Sequence, residues 1–356
     1  MDPIPANPLA RNLEHVLDHT GDVWADLRGE RIFITGGTGF IGAWLLESLL
    51  WANRRMNLGV RCTVLTRDPR AFAARLPHLA CNQAVTLHTG DVRSFQFPDG
   101  GFGHIIHGGV DASDKLNREE PSTMLETIVD GTRQALNFAE TAGARRFMLL
   151  SSGAVYGRQP AGLSHVPETH LGGPDPTDAR SAYAEGKRLA ELLCTLHARK
   201  TGACCTIARC FAFVGPYLPL DTHFAIGNFI HDCLHGRPIE IRGDGTPMRS
   251  YLYAADLVIW LWTILVHGES CRPYNVGSDR ALSIAEIAST VAANLRPSAA
   301  IRILGTPCPG AVPERYIPET SRVRGELGLR EHVKLDDAVR RTAEWHASTR
   351  MSLAYA

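Results

Sequence analysis

The 356-residue sequence carries no surplus charge of either sign, with 37 Lys and Arg set against 37 Asp and Glu. A chain without a net field has nothing to recruit a polyanion over its whole surface. Nucleic acid and anionic membrane are therefore not expected partners, and an anionic ligand must be held by locally placed donors. Also missing is an uninterrupted apolar run of the roughly 18 residues that a membrane span needs. "YLYAADLVIWLWTILVHG" comes nearest, and Asp256 breaks it. The opening "MDPIPANPLARNLEHVLDHTGDVW" has acidic residues and no continuous apolar segment, unlike a signal peptide, so a cytoplasmic protein is expected. There is no CxxC pair among the nine cysteines, an odd number, which fits reduced thiols rather than a disulfide framework or a zinc site; no metal is expected. Cys204, Cys205 and Cys210 fall in an apolar run and read as packing residues. Internal repeats and low-complexity segments are absent as well.

What is present is an apolar content of 44%, enough for a large core, at a length that favours two lobes. Short β-rich runs ("RIFITGG", "RCTVLTR", "VTLHTGD", "HIIHGG", "RRFMLLSS", "CCTIARCFAFVG") alternate with helical patterns such as "PSTMLETIVDGTRQALNFAETAG" and "SAYAEGKRLAELLCTLHARKTG". The runs are continuous in hydrophobicity rather than alternating, as strands covered on both faces require. The pattern predicts an α/β chain with a Rossmann-type doubly wound parallel sheet over residues 31–215. A smaller C-terminal α/β substrate lobe follows over 216–356, with a segment around 252–277 returning to the sheet domain. Residues 1–30 form an N-terminal extension, expected as a helix packed outside.

The first strand ends in "TGGTGFIG", which places Gly36, Gly39 and Gly42 around Phe40 and Ile41 at a strand-to-helix turn. A diphosphate needs backbone amides at close approach and a helix N-terminus aimed at it, and side chains on these glycines would obstruct both. The cofactor is NAD or NADP. In "VLTRDP" Arg67 suits a 2′-phosphate, whereas Asp68 suits free ribose hydroxyls. Asp91 and Val92, in "TGDV" after the third strand, are placed to edge the adenine.

"YAEGK" sets Tyr183 and Lys187 at i and i+4, on one helix face. An ammonium beside a phenol favours the phenolate, so Tyr183 can exchange a proton with a sugar or alcohol hydroxyl while Lys187 holds the cofactor ribose. Ser152, in "SSGAVYG" at the end of the preceding strand, supplies a hydroxyl to hold the substrate oxygen. His223, in "LDTHFAIGN", is a candidate second acid/base on the substrate side.

Together these motifs resemble the extended short-chain dehydrogenase/reductases of the NAD-dependent epimerase/dehydratase family, which act on nucleotide sugars. The likeness spans about residues 31–345 and includes "RCFAFVGP", "GDGTPMRSYLYAADL", "YNVGS" and "LDDAVRRTAEW". It implies that Ser152, Tyr183 and Lys187 are the catalytic triad and that Phe213 lies near the nicotinamide. It further implies that Asn228 and Arg249 bind the nucleotide diphosphate, that Arg315 serves the nucleotide end, and that the protein is a homodimer through a helical interface including the "YAEGK" helix. Two positions depart from the family pattern: Ile128 where an Asn is common, and "HGGVDAS" after the fourth strand. By the same resemblance, dehydrating relatives carry an Asp-Glu pair directly after the active-site hydroxyl residue, and decarboxylating ones keep the Glu. Gly153 and Ala154 transfer no proton. The expectation is an NAD(P)-dependent nucleotide-sugar epimerase, acting at C4 by transient hydride transfer through a 4-keto sugar. Its alternatives are an NADPH-dependent 4-keto-sugar reductase and then a 4,6-dehydratase or decarboxylase. A non-catalytic NAD(P)-binding regulator would be expected to lack Tyr183 or Lys187.

Overall fold

Residues 7–109, 114–222 and 224–354 are described by the structure, a computed structural model. Two short helices, α1 (Ala10–Asp18) and α2 (Val23–Asp26), precede the sheet domain. Its elements run β1 (Arg31–Thr35), α3 (Phe40–Met56), β2 (Arg61–Thr66), α4 (Pro69–Arg75), α5 (Pro77–Ala80), β3 (Val85–Thr89) and β4 (His104–His107). Then come α6 (Asp114–Glu119), α7 (Pro121–Ala142), β5 (Arg146–Ser152), α8 (Ala182–Thr201) and β6 (Cys204–Cys210). The remaining chain forms β7 (Phe213–Val214), α9 (Ala225–Leu234), β8 (Ile239–Ile241), β9 (Met248–Arg249), β10 (Leu252–Tyr253), α10 (Ala254–His267) and β11 (Pro273–Val276). It ends with β12 (Leu282–Ser283), α11 (Ile284–Leu295), β13 (Ile301–Ile303), β14 (Arg315–Tyr316), α12 (Ser321–Leu327) and α13 (Leu335–Ala354).

Seven parallel strands make the main sheet in the order β3-β2-β1-β4-β5-β6-β11, so the doubly wound Rossmann-type architecture expected from the sequence is what the chain adopts. Successive side chains of β1 feed opposite layers: Ile32 and Ile34 join the core under α3 and α10, while Phe33 stacks on Phe138 of α7 at 4.7 Å. Strand order reverses between β1 and β4, and in such sheets ligands bind beyond the carboxyl ends of the strands at that point. The glycine loop after β1 and Ser152 at the end of β5 both lie there.

Three sequence expectations need correction or refinement. The N-terminal extension is no outer addition: Leu9, Leu13, Val16, Trp24 and Leu27 are fully buried in the principal core, and Trp24 packs on Trp262 of α10 at 5.4 Å. Apolar side chains at 9, 13 and 16 share one helical face, which α3 and α10 cover. Asp256, which interrupts the apolar run, does not break the helix. It is buried in α10, where Oδ1 meets His15 Nε2 at 3.1 Å and Oδ2 accepts the backbone N–H groups of His332 and Val333 at 2.9 and 2.8 Å. The single strand expected over "CCTIARCFAFVG" divides into β6 and β7. Phe211 N–H still donates to Val276 in the main sheet (2.9 Å), but the Ala212 carbonyl already accepts from Leu252 (3.0 Å), which leads the chain out to β10. Among the described residues no helix is long and apolar enough to cross a membrane.

Candidate active site

The three glycines of the first turn are glycine for different physical reasons. Gly36 has φ +74°, and a Cβ there would stand 2.3 Å from the Gly108 carbonyl oxygen, so the turn itself forbids a side chain. At Gly42 a Cβ would lie 2.4 Å from the backbone of Gly37, so the helix and the loop could not close. Gly39 is otherwise: its Cβ would meet only the Gly36 carbonyl, at an ordinary 3.5 Å, and the fold leaves open the space in front of it. Gly39 is also the N-cap of the 17-residue α3 and brings no side chain to its first N–H groups. A helix N-terminus with no capping side chain and room at Gly39 fits a diphosphate, and the residues present therefore fit a dinucleotide.

At the carboxyl end of β2, Asp68 turns its carboxylate back to cap α4, accepting the Ala71 N–H at 2.9 Å. Arg67 beside it is exposed, and Arg75 of α4 reaches across to donate to the Thr38 carbonyl in the glycine loop. Asp91 is paired with Arg93 at 2.9 Å, which holds its carboxyl below the usual carboxylate range. Val92 is buried and packs where Gly109 and Gly131 leave room, each with a would-be Cβ 3.0 Å from it.

Helix α8 is fixed at its start and at its middle. Asn117 of α6 accepts the Tyr183 N–H at 3.0 Å, satisfying one of the free donors of the helix start. Two turns on, Glu191 accepts from Ser151 of β5 at 2.6 Å and from the Arg209 guanidinium of β6, whose other nitrogen holds Tyr156 Oη at 2.8 Å. Gly186, between Tyr183 and Lys187, lets α7 approach: a Cβ there would be 2.9 Å from Ile128 Cδ1. Ile128, in place of the common Asn, is thus a buried packing contact.

With the helix so held, Lys187 is buried and its Nζ donates to the Leu150 carbonyl at 2.7 Å. Desolvation brings its pKa down to about 8. The Tyr183 phenol is pushed up to about 12 by burial, an effect opposed by the Ser152 hydroxyl, which reaches it. Ser152 itself is buried at the end of β5 and accepts the Ala154 N–H at 3.1 Å. Behind these groups His107 bridges Thr35 (2.9 Å) and Thr132 (3.2 Å), and burial holds its pKa down at about 3, so it is a neutral strut.

The lowered Lys187 pKa fixes the sign of a stability effect. The folded value of about 8 lies below the unfolded 10.5, so the penalty is complete below pH 8 and gone above pH 10.5. At about 1.36 kcal/mol per unit it amounts to roughly 3 kcal/mol. Lys187→Met is therefore expected to be more stable than the wild type to denaturant at pH 7, with the difference narrowing as pH rises through that window; equal midpoints at pH 7 would contradict the burial argument.

A family model described as the NAD dependent epimerase/dehydratase family matches residues 32–277. The chain belongs to the NAD dependent epimerase/dehydratase family. Family members at comparable distance bear three different activities in their names. UDP-glucuronic acid decarboxylase 6 of Arabidopsis thaliana is 31% identical over 311 residues, covering 87% of this chain and 86% of that one. A dTDP-glucose 4,6-dehydratase from Streptomyces venezuelae, solved with NAD and TYD bound, is 25% identical with a TM-score of 0.74 over 90% of this chain and 98% of that one. A UDP-galactose 4-epimerase structure is 26% identical with a TM-score of 0.70 over 90% and 99%. This chain is an enzyme of the family, and its reaction has to be read from its own side chains.

In this member of the family, Phe213 is buried on β7 beside the sheet ends. Arg249 and Arg315 stand on neighbouring parallel strands, β9 and β14. Arg249 pairs with Glu314 at 2.7 Å, and Arg315 Nε is buried with no hydrogen-bond partner among the described residues. Asn228 donates its amide to the Thr222 carbonyl at 2.9 Å, tying α9 to the loop before it. His223 lies outside the described residues. One site residue had no local signal in the sequence: Tyr316, carried by the two-residue β14, whose phenol stands over Gly153. Glu191 and Arg209 were also missed, although Glu191 continues the Tyr183–Lys187 spacing by one more helical turn.

Proposed function

We propose that this protein is an NAD(P)-dependent nucleotide-sugar epimerase inverting the C4 carbinol of its sugar. The observation that carries the reading is the neighbourhood of Gly153 and Ala154. Elimination of water or loss of carbon dioxide calls on acids and bases besides Tyr183, and no side chain at these two positions can serve. A Cβ at Gly153 would sit 2.7 Å from both the Tyr316 phenol oxygen and Phe211 Cζ, so the place of a carboxylate is filled by rings. Chemistry at Ser152 and Tyr183 then reduces to the proton of one sugar hydroxyl.

In this reading the loop of Gly36, Gly39, Phe40, Ile41 and Gly42 holds the dinucleotide diphosphate, Lys187 its ribose, and Asp91 and Val92 the adenine edge, with Phe213 beside the nicotinamide. Bound there, the nicotinamide supplies a hydride acceptor and donor for the sugar carbon. Ser152 holds the C4 oxygen, and Tyr183 takes its proton and later returns it. Asn228, Arg249 and Arg315 hold the nucleotide, the unpartnered Nε of Arg315 being a donor suited to a phosphate oxygen. Leu125, Leu189, Leu192 and Leu196 expose an apolar face on α7 and α8, which supports a homodimer through these helices.

The test is incubation with NAD(P) and a panel of nucleotide sugars. The expected product is a C4 epimer formed without net cofactor consumption; dehydrated or decarboxylated product from the wild type would overturn the reading. A 4-keto-sugar reductase is the second reading, favoured by the end of β2, where Arg67 is exposed and Asp68 is committed to its cap. It requires NADPH consumed in step with a 4-keto sugar. Arg67→Ala is expected to weaken NADP by roughly 10- to 100-fold, as loss of a hydrogen bond to a charged group implies, and to leave NAD unchanged. Equal effects on the two dinucleotides by calorimetry would remove Arg67 from the phosphate.

A further inference from the structure

Of the three non-glycine residues with positive φ among the described residues, Asn57, Tyr217 and Cys271, only Tyr217 carries a ring. It follows β7 directly and has φ +71°, where a bulky L residue is strained. Such strain persists only where the surroundings over-determine it, and it gathers at functional sites. Here the surroundings are specific. The Tyr217 phenol donates to Oε1 of Glu47, a buried carboxylate in the middle of α3. Trp44, on the same helix, donates its indole N–H to the Pro216 carbonyl at 2.8 Å. The Tyr217 ring meets that of Trp345 edge-on at 4.6 Å between centroids. Burial and the facing carboxylate push the phenol well above its usual range, so it keeps the proton it donates.

Beyond Tyr217 runs the loop to α9. Leu218 and Leu220 bury their side chains in the core, but apolar contact is non-directional and does not decide how the loop runs. Its far end is fixed to α9: the Pro219 carbonyl lies 3.1 Å from where a Cβ on Gly227 would stand, and the Thr222 carbonyl accepts the Asn228 amide at 2.9 Å. That bond orients the Asn228 side chain and leaves one amide hydrogen and the carbonyl oxygen to offer a ligand. We propose that Tyr217 is a positioning residue for the nucleotide of the substrate: anchored on Glu47, it aims the 217–222 loop and through Thr222 sets the Asn228 amide. The anchor lies on the helix that Gly39 caps, the one whose start the proposed function gives to the dinucleotide. Both ligands are thereby placed from one rigid element, as a reaction between a sugar carbon and a nicotinamide requires. A phenol without Glu47 frees residue 217 to leave the left-handed region, and the chain after it is re-aimed. The inference rests on the assignment of Asn228 to the nucleotide in the proposed function.

The experiment is calorimetric titration of the full-length protein with UDP and with dTDP, and separately with NAD. Tyr217→Phe removes one oxygen and keeps the ring against Trp345. It is expected to weaken the nucleotide that the wild type binds by roughly 10-fold, as loss of one hydrogen bond to a charged group implies, and to leave NAD affinity unchanged. In a Glu47→Leu background the same substitution is expected to weaken it no further, because the effect travels through the Glu47 carboxylate. Glu47→Gln keeps an acceptor oxygen for the phenol and is expected to restore most of the affinity that Glu47→Leu loses; it also gives a reading if the Leu variant folds poorly. Nucleotide affinity unmoved by Tyr217→Phe, NAD affinity falling equally with it, an equal further loss in the Glu47→Leu background, or no restoration by Glu47→Gln overturns the proposal. A wild type that binds neither nucleotide sinks the function and this inference together. A nucleotide that the wild type binds and Tyr217→Phe holds as tightly sinks this inference alone.

Discussion

Tyr183→Phe is expected to lower kcat by roughly 10²- to 10⁴-fold, the usual contribution of a positioned acid/base, while leaving the fold and dinucleotide affinity near wild type. The substitution removes one oxygen from a ring whose backbone N–H is held by Asn117 and whose helix is clamped through Glu191, so the remaining atoms have no reason to move. Its value is as a separating experiment. A structural tyrosine would show its loss in thermal midpoint and in KM; a proton-transfer tyrosine shows it in kcat. Measurement of kcat, KM and melting temperature on one preparation distinguishes them. A kcat within a few-fold of wild type would remove Tyr183 from the chemistry and with it the Ser152–Tyr183 proton pair.

Gly36→Ala should be the most damaging change in the cofactor loop, and Gly39→Ala the most informative beside it. At Gly36 an added Cβ meets the Gly108 carbonyl at 2.3 Å on a backbone with φ +74°. Left-handed strain and overpacking together give about 2–5 kcal/mol, so a large fall in unfolding midpoint is expected, together with loss of dinucleotide binding. At Gly39 the added Cβ has only a 3.5 Å contact, so the melting temperature of the free protein is expected to stay near wild type while dinucleotide affinity falls. The contrast assigns one glycine to the protein and the other to its ligand. Equal destabilisation by both, or retained binding in Gly39→Ala, would show that the space before α3 is not where the diphosphate lies.

The difference between what could be read in the sequence and what could not is one of range. The glycine loop and the Tyr183–Lys187 pair are legible because each is complete within a single turn of chain, where spacing alone fixes geometry. The parallel sheet is legible because strands buried on both faces must be apolar throughout. Tyr316 was invisible although Arg315 beside it in "ERYIPET" was marked; only the pairing of β14 with β9 brings its phenol over Gly153. Asp256 was legible as an interruption but not as a buried carboxylate, since the groups that satisfy it, His15 and the amides at 332 and 333, come from opposite ends of the chain. The role of residues 1–30 failed for the same reason: an amphipathic helix declares that one face will be covered without saying by what.

That shared carboxylate also has a meaning in time. A ribosome delivers Leu9, Leu13, Val16 and Trp24 first, yet α10, which covers them, begins only at Ala254, and the amides that complete the Asp256 site arrive at His332 and Val333. Between those moments the apolar face of α1 has α3 but not α10 to cover it. Contacts of such sequence separation slow folding and lengthen the exposure of sticky surface. Synthesis of this chain thus includes an interval, set by translation speed, in which the helix at Ala10–Asp18 has only part of its native cover.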